Sequence, residues 1–146
     1  MAYLGDTGQG ALFTMTGLNL VSRVKSIKLP EFVQEKLDAT SLNSSGFMEY
    51  VAGDTIDPGE ITLELIFDPL DDIGQAIMGG CGEEAEVTFP KSPCRESGVS
   101  TNAATLMGTA FITNVDWPNL AINELMIATV TVAFDGGTGP TYTAEN

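Results

Sequence analysis

The sequence predicts a mainly β domain, sandwich-like or barrel-like, with one short helix. Three observations carry that class. Apolar and polar residues alternate one by one over several stretches, as they do in a strand with one buried face. Only one short stretch shows a helical pattern. With 146 residues, 43% of them hydrophobic, the chain has material for one core of ordinary size but not for two usual domains.

The glycine-rich start, residues 1–10, reads as an N-terminal arm. Leu20 to Leu29 and Phe32 to Thr40 read as strands whose register the pattern leaves open. Residues 41–58, with LNSSGF and AGDTIDPG, read as a long irregular excursion between two strands. The clearest strand follows, GEITLELIFDP over residues 59–69, with Ile61, Leu63, Leu65 and Phe67 on one face and Glu60, Thr62 and Glu64 on the other.

The helix is expected next, in DPLDDIGQAIMGG. Asp68 can cap it, Pro69 suits its first position, and Asp71 and Asp72 favour the positive end of the dipole. Ile73, Ala76 and Ile77 make a short apolar stripe, and Gly79–Gly80 end it. Strand patterns resume at AEVTF, with Ala85, Val87 and Phe89 on one side, at residues 108–115, and from Glu124 to Phe134. In the last, Met126, Ala128, Val130, Val132 and Phe134 oppose Thr129 and Thr131. Residues 91–104 read as irregular, and a tail, 136–146, closes the chain.

Composition removes several functions. Six Lys/Arg against twenty Asp/Glu give a formal charge of −14, which disfavours a DNA-gripping or anionic-lipid-binding protein. There is no histidine, so the commonest general base, the commonest zinc ligand and the usual partner of a Ser or Cys nucleophile are missing. An enzyme is not expected. Cys81 and Cys94 form no CxxC, which leaves no structural zinc site. No basic segment followed by an apolar run opens the chain, and the most apolar stretch, Leu125 to Phe134, is about half a helical membrane span. A soluble protein made in a cytoplasm is expected. That setting favours free thiols, and pairing of Cys81 with Cys94 stays open.

Candidate chemical motifs have plainer readings. Asp6-Thr7-Gly8 spells half of an aspartic protease dyad, but its glycine-rich flanks suit an arm. Ser22-x-x-Lys25 needs a helix to bring the pair together, and the surrounding pattern is a strand. Glu83-Glu84-x-Glu86 and Asp54-x-x-Asp57 lack the spacing of a calcium loop and read as an acidic surface and a turn. Gly5-x-x-Gly8-x-Gly10 follows no strand and precedes no lysine, so it is not a phosphate loop. No cofactor is expected. Arg23, Lys25 and Lys28, half of all Lys/Arg, fall within six residues. They fit either a solvated strand face or a basic stripe that meets an acidic surface of another copy.

Two stretches carry a resemblance. SRVKSIKLPEFVQEKLDATSLNSSGFMEYVAGDTIDPGEITLELIFDP (22–69) resembles the N-terminal half of tail tube (major tail) proteins of long-tailed bacteriophages: strand, LPE turn, charged strand ending in DATSL, an EY segment, then DPGEITLEL…FDP. GTAFITNVDWPNLAINELMIATVTVAFDGG (108–137) is similar to their closing hairpin. Residues 91–104 and the C-terminus carry no such signal. The resemblance implies two packed sheets with a helix at the flank, six copies per ring, and rings stacked into a tube in a virion tail assembled in the host cytoplasm. It implies as partners the chain itself, tape measure, tail terminator and baseplate or tip proteins, with DNA as non-specific cargo and no membrane binding. The inner tubes of contractile injection systems and of type VI secretion share the architecture and are the alternative; a stand-alone β-sandwich binding module is the second.

Sliding DNA calls for repulsion rather than grip. The expected lumen lining is therefore Glu60, Thr62 and Glu64, joined by Thr129 and Thr131, with Asp38 a further candidate. The 41–58 excursion is too apolar for an idle loop, so Phe47, Met48, Tyr50, Val51 and Ile56 are expected to contact another subunit, as are Arg23, Lys25 and Lys28 on the stripe reading.

Overall fold

A computed structural model describes residues 11–16, 23–69, 82–90, 103–137 and 139–144. Nine strands run in order: β1 (Leu12–Met15), β2 (Arg23–Lys28), β3 (Val33–Asp38), β4 (Tyr50–Asp57), β5 (Glu60–Ile66), β6 (Glu83–Thr88), β7 (Thr105–Asp116), β8 (Ile127–Phe134) and β9 (Thr141–Thr143). The expected helix lies almost wholly outside the described residues, as do the N-terminal arm and residues 91–102. All regular structure among the described residues is strand.

Seven strands form one antiparallel sheet in the order β1-β6-β7-β8-β5-β2, with β9 against the start of β7. The twelve-residue β7 serves both halves of it. Thr105–Ala110 pairs with β6, and Ala110–Asp116 pairs with β8. A bulge between Ile112 and Asn114 bends the strand where its partners change. Buried Phe13, Ala85 and Val87 from one end of the sheet belong to the same apolar cluster as Ile61, Leu63, Leu65, Val130 and Val132 from the other. The sheet therefore curls over itself, and the sandwich is closed by its own two halves. Among the described residues this core contains no buried polar or charged side chain.

Alternation was the right guide wherever one face meets this core. β5 and β8 read exposed-or-partial, buried, partial, buried along their length. β3 and β4 are different. They pair only with each other, as a separate two-stranded sheet, and neither contributes a buried residue. One expectation is corrected here. Residues 41–58 are not irregular throughout, because Tyr50–Asp57 is a strand whose backbone groups bond to β3. The tail contributes a short strand, since Thr141–Thr143 pairs with β7.

The turn from β4 into β5 depends on glycine. Asp57 Oδ1 accepts a hydrogen bond from Gly59 N–H at 3.0 Å, and Gly59 has φ +73°. A Cβ there would lie 2.6 Å from the Glu31 carbonyl oxygen. Gly59→Ala is expected to cost about 1–3 kcal/mol, through both the left-handed backbone and the clash. Comparison of thermal melts of the two proteins checks this, and equal melting would show that the turn relaxes freely.

Candidate assembly surfaces

The outer face of the β2-β5-β8-β7 half carries two polar rows ordered by register. Paired residues share a face, so Thr62, Thr131 and Asn114 form one row with Lys28, and Glu64, Thr129 and Asp116 form the next with Ser26. Glu60 lies beyond the first row, opposite Ala133. Five of the six expected lumen residues, Glu60, Thr62, Glu64, Thr129 and Thr131, thus stand together on one surface. Asp38 does not join them, because it sits on the two-stranded sheet. There its carboxylate accepts from the Thr40 hydroxyl and backbone N–H, the latter at 2.9 Å, and these bonds hold its pKa below the ordinary value.

A bulge puts a cation on the same face. The register slips between Val24 and Ser26, so Val24 packs on the core while Lys25 is the extra residue and turns outward. Lys25 Nζ lies 3.8 Å from Glu64 Oε1, and Ser26 Oγ donates to Glu64 Oε2 at 3.1 Å. Both members of the ion pair are well exposed, so screening leaves the pair little energy. Glu64→Ala is expected to change folding free energy by less than about 0.5 kcal/mol. Urea titration measures it, and a loss as large as that of a core truncation would mean that the two faces of β5 are wrongly assigned. Strict alternation could not find Lys25, Asn114 or Asp116 as members of this face, because a bulge shifts the parity of each strand.

The β3–β4 hairpin carries the second surface. Tyr50 and Ile56 pair with Asp38 and Gln34 and share one face, while Leu37 and Val51 share the other. Both faces are exposed. Lys36 Nζ sits 4.1 Å from the Tyr50 ring centroid, and the Tyr50 hydroxyl donates to Met48 Sδ at 3.5 Å. Phe47, at the tip, is 82% exposed. All five apolar residues expected to contact another subunit lie on this hairpin or its tip. At its root, Phe32, Ile56 and Pro58 face Gly136, Gly139 and Pro140 across an open cleft of about 300 Å³. Arg23, Lys25 and Lys28 lie on β2 instead, in the other sheet.

A third surface went unremarked in the sequence. The connection from β7 to β8 exposes Trp117, Leu120, Ile122 and Leu125, and Ile122 is 90% exposed. Trp117 makes one edge-on contact with Phe67, ring centroids 6.2 Å apart. Since β4 leads directly into Glu60 and this connection flanks the Ile66–Ile127 pair, the two apolar patches lie at opposite ends of β5. No grouping of acidic residues and cysteines among the described residues could hold a metal ion, and no described helix is long and apolar enough to cross a membrane. Asp6-Thr7-Gly8, Ser22, Cys81 and Cys94 lie outside the described residues.

Solved structures match this arrangement over nearly its whole length. The tail of an empty gene transfer agent particle, refined helically with C6 symmetry, superposes with a TM-score of 0.67 at 20% identity, covering 94% of this chain and 99% of that one. The chain has the tail tube fold. The tube-terminating cap of the anti-feeding prophage gives a TM-score of 0.71 at 14% identity, covering 99% and 93%. Hcp1 from Flavobacterium johnsoniae gives 0.53 at 16%, covering 90% and 98%. No protein-family model and no curated protein sequence matches the chain. The tail tube fold thus rests on shape, with both expected layers of the sandwich in place.

Proposed function

We propose that this chain is the structural subunit of a virion tail tube, built from six-membered rings stacked around a lumen through which DNA passes. The observation that carries the reading is the coexistence of the tail tube fold with a hairpin whose apolar residues are all left outside the core. A monomer gains nothing from Leu37, Tyr50, Val51 and Ile56 in water, whereas a stacked copy buries them. Apolar patches at opposite ends of the strand axis favour head-to-tail contacts, and such contacts close into rings or extend into filaments. The polar face with Glu60, Thr62, Glu64, Thr129 and Thr131 is then the lumen wall, and Asp38 takes no part in it. The role is structural rather than enzymatic, and terminator, baseplate and tape measure proteins meet the tube at its ends and in its bore.

The likeness to the anti-feeding prophage cap and to Hcp1 supports a second reading, the inner tube of a contractile injection or secretion system. Negative-stain images of concentrated protein test the shared part of both readings, since rings or tubes are expected and a uniform monomer overturns them. Particles purified from producing cells separate the two. A bare tube attached to a DNA-filled head supports the virion tail, and a sheathed tube supports the contractile system.

A further inference from the structure

Met48 is the most exposed methionine among the described residues, at 63%, against 40% for Met107. Met15 and Met126 are half-buried, and Met15 packs against the core. Met107 stands on β7 between Glu86 and Thr141, in the large sheet. Met48 belongs to the apolar hairpin instead, and the backbone fixes its orientation. Glu49 N–H donates to Thr40 Oγ1 at 2.9 Å, and the Glu49 carbonyl accepts from Ala39 N–H at 2.9 Å. Met48 and Tyr50 flank this anchored residue and so leave the chain on one side. Their contact agrees, since the Tyr50 hydroxyl donates to Met48 Sδ at 3.5 Å. Lys36 Nζ, 4.1 Å from the centroid of the Tyr50 ring, helps to hold that ring in place. The thioether therefore extends the face of Tyr50 and Ile56 and is largely open to solvent in the monomer.

We propose that Met48 is an oxidation site that controls whether a free subunit can join a tube. The proposal rests on the tube reading. The modifying reagent is a hydroperoxide. The sulfur lone pair attacks one peroxide oxygen, an S–O bond forms and the O–O bond breaks. The proton left on the transferred oxygen passes to the departing hydroxide, giving a sulfoxide and water. Sulfur loses two electrons and the peroxide gains them. The product is polar where the thioether was apolar. The Tyr50 hydroxyl then exchanges a weak sulfur acceptor for a strong oxygen and stays bound to it. A face that must shed water to dock thus carries a strong dipole, which is costly to bury without a full set of partners. Docking reverses the accessibility, because a buried sulfur is out of reach of the reagent. Oxidation therefore stops free subunits and spares finished tubes, and reduction of the sulfoxide returns subunits to the assembling pool.

Hydrogen peroxide treatment of the full-length protein tests this, read by peptide mass spectrometry, sedimentation and negative stain. Met48 is expected to oxidise ahead of Met107, and faster in monomer than in tubes. Oxidised subunits are expected to need about tenfold or more protein to assemble, with an unchanged monomer melting curve. Methionine sulfoxide reductase is expected to restore assembly, which it would not do if oxidised Cys81 or Cys94 were responsible. Met48→Leu is expected to assemble normally and to keep doing so after peroxide. Loss of assembly by peroxide-treated Met48→Leu, failure of the reductase to restore assembly, or equal oxidation of Met48 in monomer and tube overturns the proposal and leaves the tube reading intact. Absence of rings or tubes from the untreated protein overturns both.

Discussion

Leu65→Ala is expected to lower the unfolding free energy by about 2–5 kcal/mol. Leu65 is completely buried near the C-terminal end of β5. Its register partners on the same face are Val24 and Ala128. Ala128 is too small to move into the space that a truncated leucine leaves, and Val24 is held by the bulge beside it. The cavity should therefore persist, which places the cost toward the upper part of that range. Against a typical domain stability of about 5–15 kcal/mol, this is a large share. The measurement has to be made on unassembled protein, because association stabilises the folded state by mass action. A change below about 1 kcal/mol in urea titrations would show that the two halves of the sheet can close on the gap.

The same residue shows how far the sequence could be read. Ile61, Leu63 and Leu65 alternate with Glu60, Thr62 and Glu64 because one face of β5 meets a core made by this chain. Where that condition holds, in β5, β6 and β8, the strand and its facing could be read from the residues. β4 fails the condition. Tyr50, Val51 and Ile56 fall on both of its faces, Gly53 interrupts it, and among the described residues none covers it. Its pattern follows no core among the described residues, so alternation leaves it irregular, although its residues are too apolar for an idle loop. Short β1 and β9, of four and three residues, give too few positions for any period to show. The outer face of β5 and β8 is legible from their alternation, but its edge members Lys25, Asn114 and Asp116 are hidden by bulges. The exposed Trp117–Leu125 connection was hidden differently, since apolar residues before a strand read as part of its core face until their exposure is known.

Removing the β3–β4 hairpin should separate folding from assembly. The experiment excises residues 32–57 and joins β2 to β5 through a short glycine-containing turn. The join is feasible because β2 and β5 are antiparallel neighbours, with Lys28 opposite Thr62, and the hairpin interrupts what would otherwise be a tight connection. No residue of the buried cluster lies within the excised segment. The remaining protein is therefore expected to fold, to stay monomeric and to be more soluble, having lost its largest group of exposed apolar side chains. Tubes are expected to be lost at every attainable concentration. Burying one large apolar side chain contributes roughly 1.5–3 kcal/mol, and Leu37, Phe47, Tyr50, Val51 and Ile56 together supply on the order of 10 kcal/mol per contact. Part of that gross gain offsets lost freedom on docking, and the remainder is what an interface between copies would lack. Hydrogen exchange supplies the companion measurement on the intact chain. A two-stranded sheet without a covered face is marginal in water, so hairpin amides should exchange fast in the monomer and slowly in tubes. Tubes of normal length and heat resistance from the shortened chain, or equal hairpin exchange in monomer and tube, would show that assembly runs through other surfaces.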